Sequence, residues 1–152
     1  MSGKDKKDVK PQKPVEKKKI VPIIIVPAAS QSLLTLYNAQ QFLIDQKFIS
    51  SEEIRQKGEK KPMQLTITRD PKKHAISKFL VLDSIDTMKD KDWNRVVAVF
   101  TCGQEWQFKG WKWDKPVDIF SRVLGFSLKF QDEPPSGSLS QWNVKILDVI
   151  LY

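Results

Sequence analysis

The sequence predicts an α/β fold in a single domain. A β-branched apolar run over residues 20–26 is followed by a short polar loop and a helical pattern over residues 33–46. A strand, a loop and a helix in this order are typical of the start of an α/β unit. Further along, the chain has six or seven strand patterns and two or three helical patterns in all. Its length of 152 residues fits one domain.

The opening strand and helix are defined by their apolar residues. The run over residues 20–26 is continuously apolar, as expected for a strand that is buried on both faces. Either Ser30 or Ser32 could cap the helix that follows. From Leu33 the apolar residues recur at gaps of three and four, which predicts an amphipathic helix to about Gln46.

The next segment predicts a hairpin near one edge of the sheet. Residues 50–62 are polar and predict one helical turn and then a loop. Residues 63–68 alternate between apolar and polar, which is the period of a half-buried strand. The turn signal Asp70-Pro71 then leads to a second strand over residues 79–82.

The last third of the chain predicts three strands and one helix. Residues 96–101 form the most continuously apolar strand and are therefore expected at the centre of the sheet. A helix is predicted over residues 116–124, with proline at its first position and Gly125 able to end it. Strands are predicted over residues 126–130 and 144–151.

The net charge of +8 is unevenly distributed along the chain. Residues 1–19 hold eight lysines and three acidic residues, a net charge of +5. This composition, without any hydrophobic period, predicts a disordered tail that precedes a folded domain over residues 20–152. The tail could be a solvated linker, a nuclear import signal or a polyanion-binding arm.

The residue inventory argues against catalysis, metal binding and a bound cofactor. One cysteine, Cys102, and one histidine, His74, are too few for a disulfide framework, a zinc cluster or a convincing nucleophile–base pair. A phosphate-binding loop needs glycines and a lysine, but residues 27–32 read Pro-Ala-Ala-Ser-Gln-Ser. An isolated Asp83 after a strand could imitate a metal-holding acid, but is more typical of a turn. No apolar run approaches the roughly 20 residues of a membrane helix, so a soluble intracellular protein is expected.

An aromatic cluster is the first candidate binding site. It comprises four aromatic residues with two lysines between them: Trp106, Phe108, Trp111, Trp113, Lys109 and Lys112. The rings could fill the core between sheet and helix, or one or two of them could be exposed anchors. In an extended segment, Trp106 and Phe108 would share one face. Exposed rings could clamp phosphorylated peptides or stack on bases, and contact with a peptide or protein is favoured.

Basic residues in two loops form the second candidate site. The loops flank the strand predicted over residues 63–68 and carry Arg55, Lys57, Lys60, Lys61, Arg69, Lys72 and Lys73. These side chains could converge into an anion-binding patch, or they could be no more than a soluble surface. Arg95, at the start of the central strand, is expected to pair with a nearby acid or to cap the strand.

Several strings of residues resemble one protein family. DWNRVVAVFTCGQEWQFKGWKW at residues 92–113 resembles the signature of the parafibromin C-terminal domain family. The same family resembles this chain at residues 21–29, at 116–120, at 141–144 and around Asn38. The resemblance runs from about Val21 to Tyr152.

The resemblance implies a fold and a function. The fold is Ras-like, with a mostly parallel sheet flanked by helices and no P-loop for nucleotides. The function is that of a nuclear, non-catalytic interaction module of the RNA polymerase II-associated factor complex, which supports transcription elongation and co-transcriptional histone modification. The implied partners are RNA polymerase II, other subunits of that complex, chromatin, and phosphorylated tails of the transcription machinery.

Two expectations accompany this resemblance. The family's domain continues beyond its last strand into a closing helix, so the chain is expected to be either a fragment or a reduced homologue. A basic domain that binds nucleic acid or phosphopeptides outside the complex is the alternative function.

Overall fold

The computed structural model describes residues 20–135 and 137–150, so the predicted tail lies outside the described residues. Six strands are β1 (Ile23–Ile25), β2 (Leu65–Thr68), β3 (Lys78–Leu82), β4 (Val96–Phe100), β5 (Leu124–Phe130) and β6 (Lys145–Val149). The α-helices in the same residues are α1 (Ala39–Asp45), α2 (Ser51–Gln56) and α3 (Pro116–Arg122). The α/β class predicted from the sequence is confirmed.

All six strands form one sheet in the order β2-β3-β1-β4-β5-β6. Only β2 is antiparallel to its neighbour, and the other pairs are parallel. This mixed order is that of the Ras-like architecture. The strand over residues 96–101 was expected at the centre, and β4 indeed pairs with β1 on one side and β5 on the other. The predicted hairpin at one edge is also confirmed as β2 and β3.

The sheet has a hydrophobic core on each face. Alternate residues of β1 pack into the two cores, because successive side chains of a strand point to opposite faces. Ile23 and Ile25 pack on one face, while Ile24 packs on the other face with the helix residue Ala39. This explains why the run is apolar without interruption, as predicted for a strand buried on both faces.

The first helix is shorter than predicted because a buried asparagine organises the residues before it. Asn38 is fully buried, and its amide donates hydrogen bonds to the carbonyl oxygens of Leu33 at 2.8 Å and Ile49 at 2.9 Å. Its side-chain oxygen accepts the Thr35 N–H at 2.9 Å. These bonds hold residues 33–38 in turns, so α1 begins only at Ala39.

The serine caps proposed for this helix are wrong. The N-cap is Asn38, and its side chain makes no capping hydrogen bond. Ser32 instead donates from its hydroxyl to the Leu34 carbonyl at 3.0 Å, within the preceding turn.

The sequence suggested that Gly125 ends the third helix. In the structure it lies inside β5 instead. A Cβ at this position would lie 2.5 Å from Cδ1 of Phe120 and 3.0 Å from Cγ2 of Val144. Glycine is therefore required here for close approach of strand and helix, and the helix already ends at Arg122.

Candidate partner-binding site

Ligands of open α/β sheets bind outside the carboxyl ends of the parallel strands. In this chain two adjoining cavities lie there, and both are lined by Ala28, which follows β1. One contains Arg55 and Lys61 from the predicted basic group, and the other contains Trp106 from the aromatic group. The fold therefore brings members of the two predicted sites together.

The first cavity has a volume of about 210 Å³ and polar walls. Arg55 projects into it from α2, where it is exposed and takes part in none of the ion pairs of the described residues. The hydroxyls of Thr35 and Ser51 line the same cavity and share a hydrogen bond of 2.6 Å. Glu52 is also in the lining, and its negative charge partly offsets the positive charge of Arg55.

Lys61 is held in place by an acid at the end of a strand. Its Nζ lies 2.7 Å from Oδ2 of Asp83, and only 7% of the Asp83 side chain is exposed. This pair ties the loop before β2 to the end of β3. Asp83, which resembled a metal-holding acid in the sequence, is thus the partner of a lysine.

The second cavity has a volume of about 120 Å³ and contains the exposed tryptophan. Trp106 is 54% exposed, and Asp83 and Gln107 lie in the same lining. The Gln107 amide donates to the Phe100 carbonyl at 2.9 Å, but its buried oxygen Oε1 has no hydrogen-bond partner within the described residues. That oxygen could accept a hydrogen bond from a donor that entered the cavity.

The extended conformation considered for residues 106–109 is wrong. Glu105–Phe108 forms a 3₁₀ helix, so Trp106 and Phe108 do not share a face. Phe108 is completely buried, whereas Trp106 faces solvent. A 3₁₀ turn places side chains two residues apart on different sides, whereas a strand would place them on the same face.

The other two tryptophans of the cluster pack against the core. The Trp111 ring lies 5.5 Å from the Trp93 ring and 5.0 Å from the Phe108 ring. Trp113 lies 5.6 Å from Trp93, and the Arg122 guanidinium covers its ring at 4.9 Å. Phe108 is thus a core residue, Trp111 and Trp113 pack against the core, and Trp106 is exposed, so that a role of Trp106 as an anchor for a partner stays a prediction.

The lysines of the aromatic cluster lie on the surface. Lys109 is exposed directly after the 3₁₀ helix. Lys112 is also exposed, and its Nζ lies 3.3 Å from Oδ1 of Asp90. Of the two, Lys109 is therefore the more available to a partner.

The sequence allowed the seven basic residues to converge into one patch. In the structure they do not converge. Because β2 is antiparallel to β3, Leu65 pairs with Val81 and Thr68 pairs with Lys78. The residues before β2 therefore lie at the carboxyl end of β3, and those after it lie at the opposite end. The first group is Arg55, Lys57, Lys60 and Lys61, and the second is Arg69, Lys72 and Lys73. The strand of four residues keeps them on the order of 10 Å apart or more.

Arg95 pairs with a nearby acid, which is one of the two roles considered for it. Its Nε donates to the Val21 carbonyl at 2.9 Å, which secures the segment before β1, and its Nη1 lies 3.0 Å from Oδ1 of Asp92. The backbone N–H of Lys89 and the Arg95 guanidinium hold the pKa of Asp92 below its ordinary value. Arg95 directly precedes β4 and lines neither of the two cavities.

Groups suited to metal binding or nucleophilic catalysis do not gather here. No cluster of three histidine, cysteine or acidic residues occurs in residues 20–135 and 137–150. Burial raises the pKa of the Cys102 thiol, which disfavours the reactive thiolate. In the same residues, no helix is both long enough and apolar enough to cross a membrane.

Sequence reasoning missed the polar groups that shape the first cavity. Thr35 lies within what looked like a continuous helical pattern, and Ser51 lies in a polar segment that resembled a solvated surface. The nearest signal was the resemblance around Asn38, whose buried amide joins the segments that carry both hydroxyls.

Comparisons with known proteins agree on one family. The family model for RNA polymerase II accessory factor, Cdc73 family, C-terminal, matches residues 18–150. Over 129 residues the chain is 37% identical to cell division cycle protein 73 of Caenorhabditis elegans, covering 84% of this chain and 25% of that protein. Over 137 residues it is 39% identical to the protein CDC73 homolog of Arabidopsis thaliana, covering 85% and 32%.

A solved structure supports the same relationship. The conserved domain of yeast Cdc73 superposes with a TM-score of 0.71 at 30% identity, covering 84% of this chain and 81% of that chain. The full-length relatives are much longer. The chain spans between 25% and 37% of the length of the curated relatives.

Proposed function

The chain belongs to the Cdc73 family of RNA polymerase II accessory factors, and on this premise we propose that it is a non-catalytic interaction module of the polymerase-associated factor complex. It acts in the nucleus, where it docks onto partners that travel with RNA polymerase II. Through them it supports transcription elongation and co-transcriptional histone modification. The match to the C-terminal model of the family and the similarity to several Cdc73 proteins support this proposal.

The side chains at the carboxyl edge of the sheet are the observation that carries this proposal. At the carboxyl edge of the sheet, the loop after β1 has no glycine and no lysine with which to cradle phosphates. The same edge has the Arg55 guanidinium in one cavity and the exposed ring of Trp106 in the adjoining cavity. An arginine and an exposed aromatic ring are typical of a surface that binds another macromolecule.

Phosphorylated tails of the transcription machinery are the partner class proposed for this edge. The planar guanidinium of Arg55 can donate paired hydrogen bonds to a phosphate. Trp106 can anchor an apolar or aromatic side chain of the same peptide, and Lys109 adds a charge nearby. Lys61 contributes less, because its ammonium already pairs with Asp83.

Co-purification tests the proposed complex. The tagged chain is recovered from nuclear extract after nuclease treatment, and its partners are identified by mass spectrometry. We expect RNA polymerase II and subunits of the polymerase-associated factor complex, with lower recovery for Trp106→Ala. Val117→Ala removes another exposed apolar side chain, on α3, and serves as the control. Recovery of neither polymerase nor complex subunits by the folded chain would contradict the proposal.

Fluorescence anisotropy tests the proposed partner class. A phosphoserine peptide from a polymerase tail is compared with its unphosphorylated twin. Arg55→Glu is expected to weaken binding of the phosphopeptide by about tenfold or more, because a charged hydrogen bond is lost and a like charge is gained. Lys115→Glu makes the same charge change at an exposed site before α3 and should have little effect. Equal affinity for the two peptides would exclude phosphate recognition.

A further inference from the structure

The two edges of the sheet differ in how they are protected. An edge strand has unpaired backbone groups that can accept another strand, and charged side chains or proline within the strand usually prevent this. At one edge, β6 contains Lys145 and Asp148. At the other edge, β2 reads Leu65-Thr66-Ile67-Thr68, with neither a charge nor a proline. The edge at β2 is therefore chemically open to pairing.

The hydrogen-bond register shows which backbone groups of β2 face outward. In an antiparallel ladder, hydrogen-bonded residue pairs alternate with pairs that are not hydrogen-bonded. The N–H of Arg69 donates to the Ser77 carbonyl at 2.6 Å, one step beyond the last ladder pair. Ile67 and Leu65 therefore also bond toward β3, and Thr66 and Thr68 direct their N–H and C=O groups away from it.

A second hydrogen bond supports this assignment. Leu80, which lies opposite Thr66, donates its N–H to the Pro22 carbonyl at 2.9 Å, on the far side of β3. Its backbone is thus directed away from β2, as required for a pair without mutual hydrogen bonds. Thr66 and Thr68 are also exposed, so their side chains leave the edge accessible.

The side chains of β2 hold the strand in place from one face only. Ile67 is 4% exposed and belongs to the core that contains α1, and Leu65 packs against the same core. The strand is thus anchored in the sheet while its outer backbone groups remain available. An added strand would extend the sheet without moving β2.

Positive charges lie beyond both ends of this edge. Lys60 precedes β2, while Lys72 and Lys73 occupy the hairpin turn after it. All three are exposed, and none belongs to an ion pair among the described residues. The turn is well defined, because Lys72 donates its N–H to Oδ1 of Asp70 at 2.9 Å and Lys73 donates its N–H to the Asp70 carbonyl at 3.0 Å.

These charges discriminate between possible occupants. If two copies of this chain paired through β2 in either direction, a basic end of one strand would always face a basic end of the other. Like charges brought together in this way oppose self-association. A strand with acidic residues at both of its ends would instead gain favourable electrostatic interactions.

We propose that the outer edge of β2 binds an extended acidic segment of a partner protein by strand addition. The backbone groups of Thr66 and Thr68 pair with the added strand, and Lys60, Lys72 and Lys73 attract carboxylates at its two ends. This site is separate from the carboxyl-edge cavities and goes beyond the proposed function. A partner can therefore bind here whether or not phosphopeptides bind beside Trp106.

Variants of β2 separate backbone pairing from charge attraction. Thr66→Pro removes an outward N–H, and proline is tolerated in an edge strand where the N–H faces solvent. Thr66→Val keeps that N–H and is the matched control. The double variant Lys60→Glu with Lys72→Glu reverses one charge at each end, and Lys115→Glu with Lys91→Glu reverses two exposed lysines elsewhere.

The probe is a displayed library of random decapeptides, selected on the wild-type chain and depleted on the Thr66→Pro variant. We expect the selected peptides to carry aspartate or glutamate near both ends. Their affinity, measured by fluorescence anisotropy, should fall by about tenfold or more for Thr66→Pro and for the charge-reversed variant. It should stay within about twofold for Thr66→Val and the control pair.

Hydrogen exchange on the wild-type chain provides a readout that does not depend on folding of the proline variant. Bound peptide is expected to slow exchange of the Thr66 and Thr68 amides. The proposal is overturned if no peptide distinguishes wild type from Thr66→Pro, if the selected peptides lack acidic residues, or if these two amides stay unprotected. Trp106→Ala should leave peptide binding at β2 intact. The strand-addition test and the phosphopeptide test can therefore succeed or fail independently.

Discussion

At the scale of single residues, neighbouring side chains of one type have opposite environments. Trp106 and Trp111 are five positions apart, yet the first is 54% exposed and the second packs on Trp93 and Phe108. The difference arises from the 3₁₀ helix Glu105–Phe108, which directs one ring outward before the chain returns to the core. Substitutions can therefore separate binding from stability at this segment.

Replacing each tryptophan by alanine tests that separation. Trp111→Ala should lower the free energy of unfolding by about 2–4 kcal/mol, because packing on two buried rings is lost. Trp106→Ala should change it by no more than about 0.5 kcal/mol, since the ring is mostly in solvent. Urea unfolding followed by circular dichroism measures both. A large loss for Trp106→Ala would mean that this ring is structural.

Asp92 gives the stability a defined dependence on pH. Its pKa lies below the ordinary value of 3.8, because the Lys89 N–H and the Arg95 guanidinium favour the carboxylate. The stabilisation is therefore present above about pH 4 and lost as the pH falls through the lowered folded value. Asp92→Asn should be less stable than wild type at pH 6, and this difference should shrink at pH 3.

Urea midpoints at the two pH values check this expectation. Asp132→Asn, in an exposed loop, controls for the removal of one carboxylate from the chain. A difference for Asp92→Asn that is the same at both pH values would show that its carboxylate has no special role.

At the scale of elements, the contact of α3 with β5 depends on a missing side chain. A Cβ on Gly125 would lie 2.5 Å and 2.7 Å from two atoms of the buried Phe120 ring. The ring belongs to a packed core and has little room to move. The close spacing of α3 and β5 therefore requires a residue without a Cβ at position 125.

Gly125→Ala should destabilise the fold by about 1–3 kcal/mol, through overpacking of this contact. Gly58→Ala is the comparison, because Gly58 has a φ of 85° but a Cβ added there would meet nothing within 4 Å. Its cost should come from backbone conformation alone and be about 1 kcal/mol. Thermal unfolding compares the two, and a milder effect at Gly125 than at Gly58 would contradict the steric account.

At the scale of the whole molecule, charge is unevenly distributed along the chain. Residues 1–19 account for +5 of the net charge of +8. Within the domain, the basic residues are further divided by β2 into groups at opposite ends of the sheet. The proposed phosphopeptide site, the proposed strand-addition site and the predicted basic tail can therefore be tested one at a time.

Neutralising Lys17, Lys18 and Lys19 to glutamine tests the alternative in which the chain binds nucleic acid through its tail. If each lysine neutralises a phosphate, the slope of log affinity against log salt should decrease by about 0.9 for each lysine on duplex DNA. Filter binding over a salt series measures this slope. An unchanged slope would exclude these lysines as phosphate contacts.

The sequence by itself determined the strand positions, the edge hairpin and the double-sided burial of β1, because periodicity and β-branched runs are local properties. It also excluded a phosphate loop, since that chemistry needs glycine and lysine at fixed places. Only the tertiary structure decided that the basic residues divide into two groups, that Trp106 has the one largely exposed ring of the aromatic cluster, and that Gly125 lies in a strand. Each of these three features depends on which elements become neighbours in the fold. Contacts between residues far apart in the sequence decide this, and local sequence patterns do not report them.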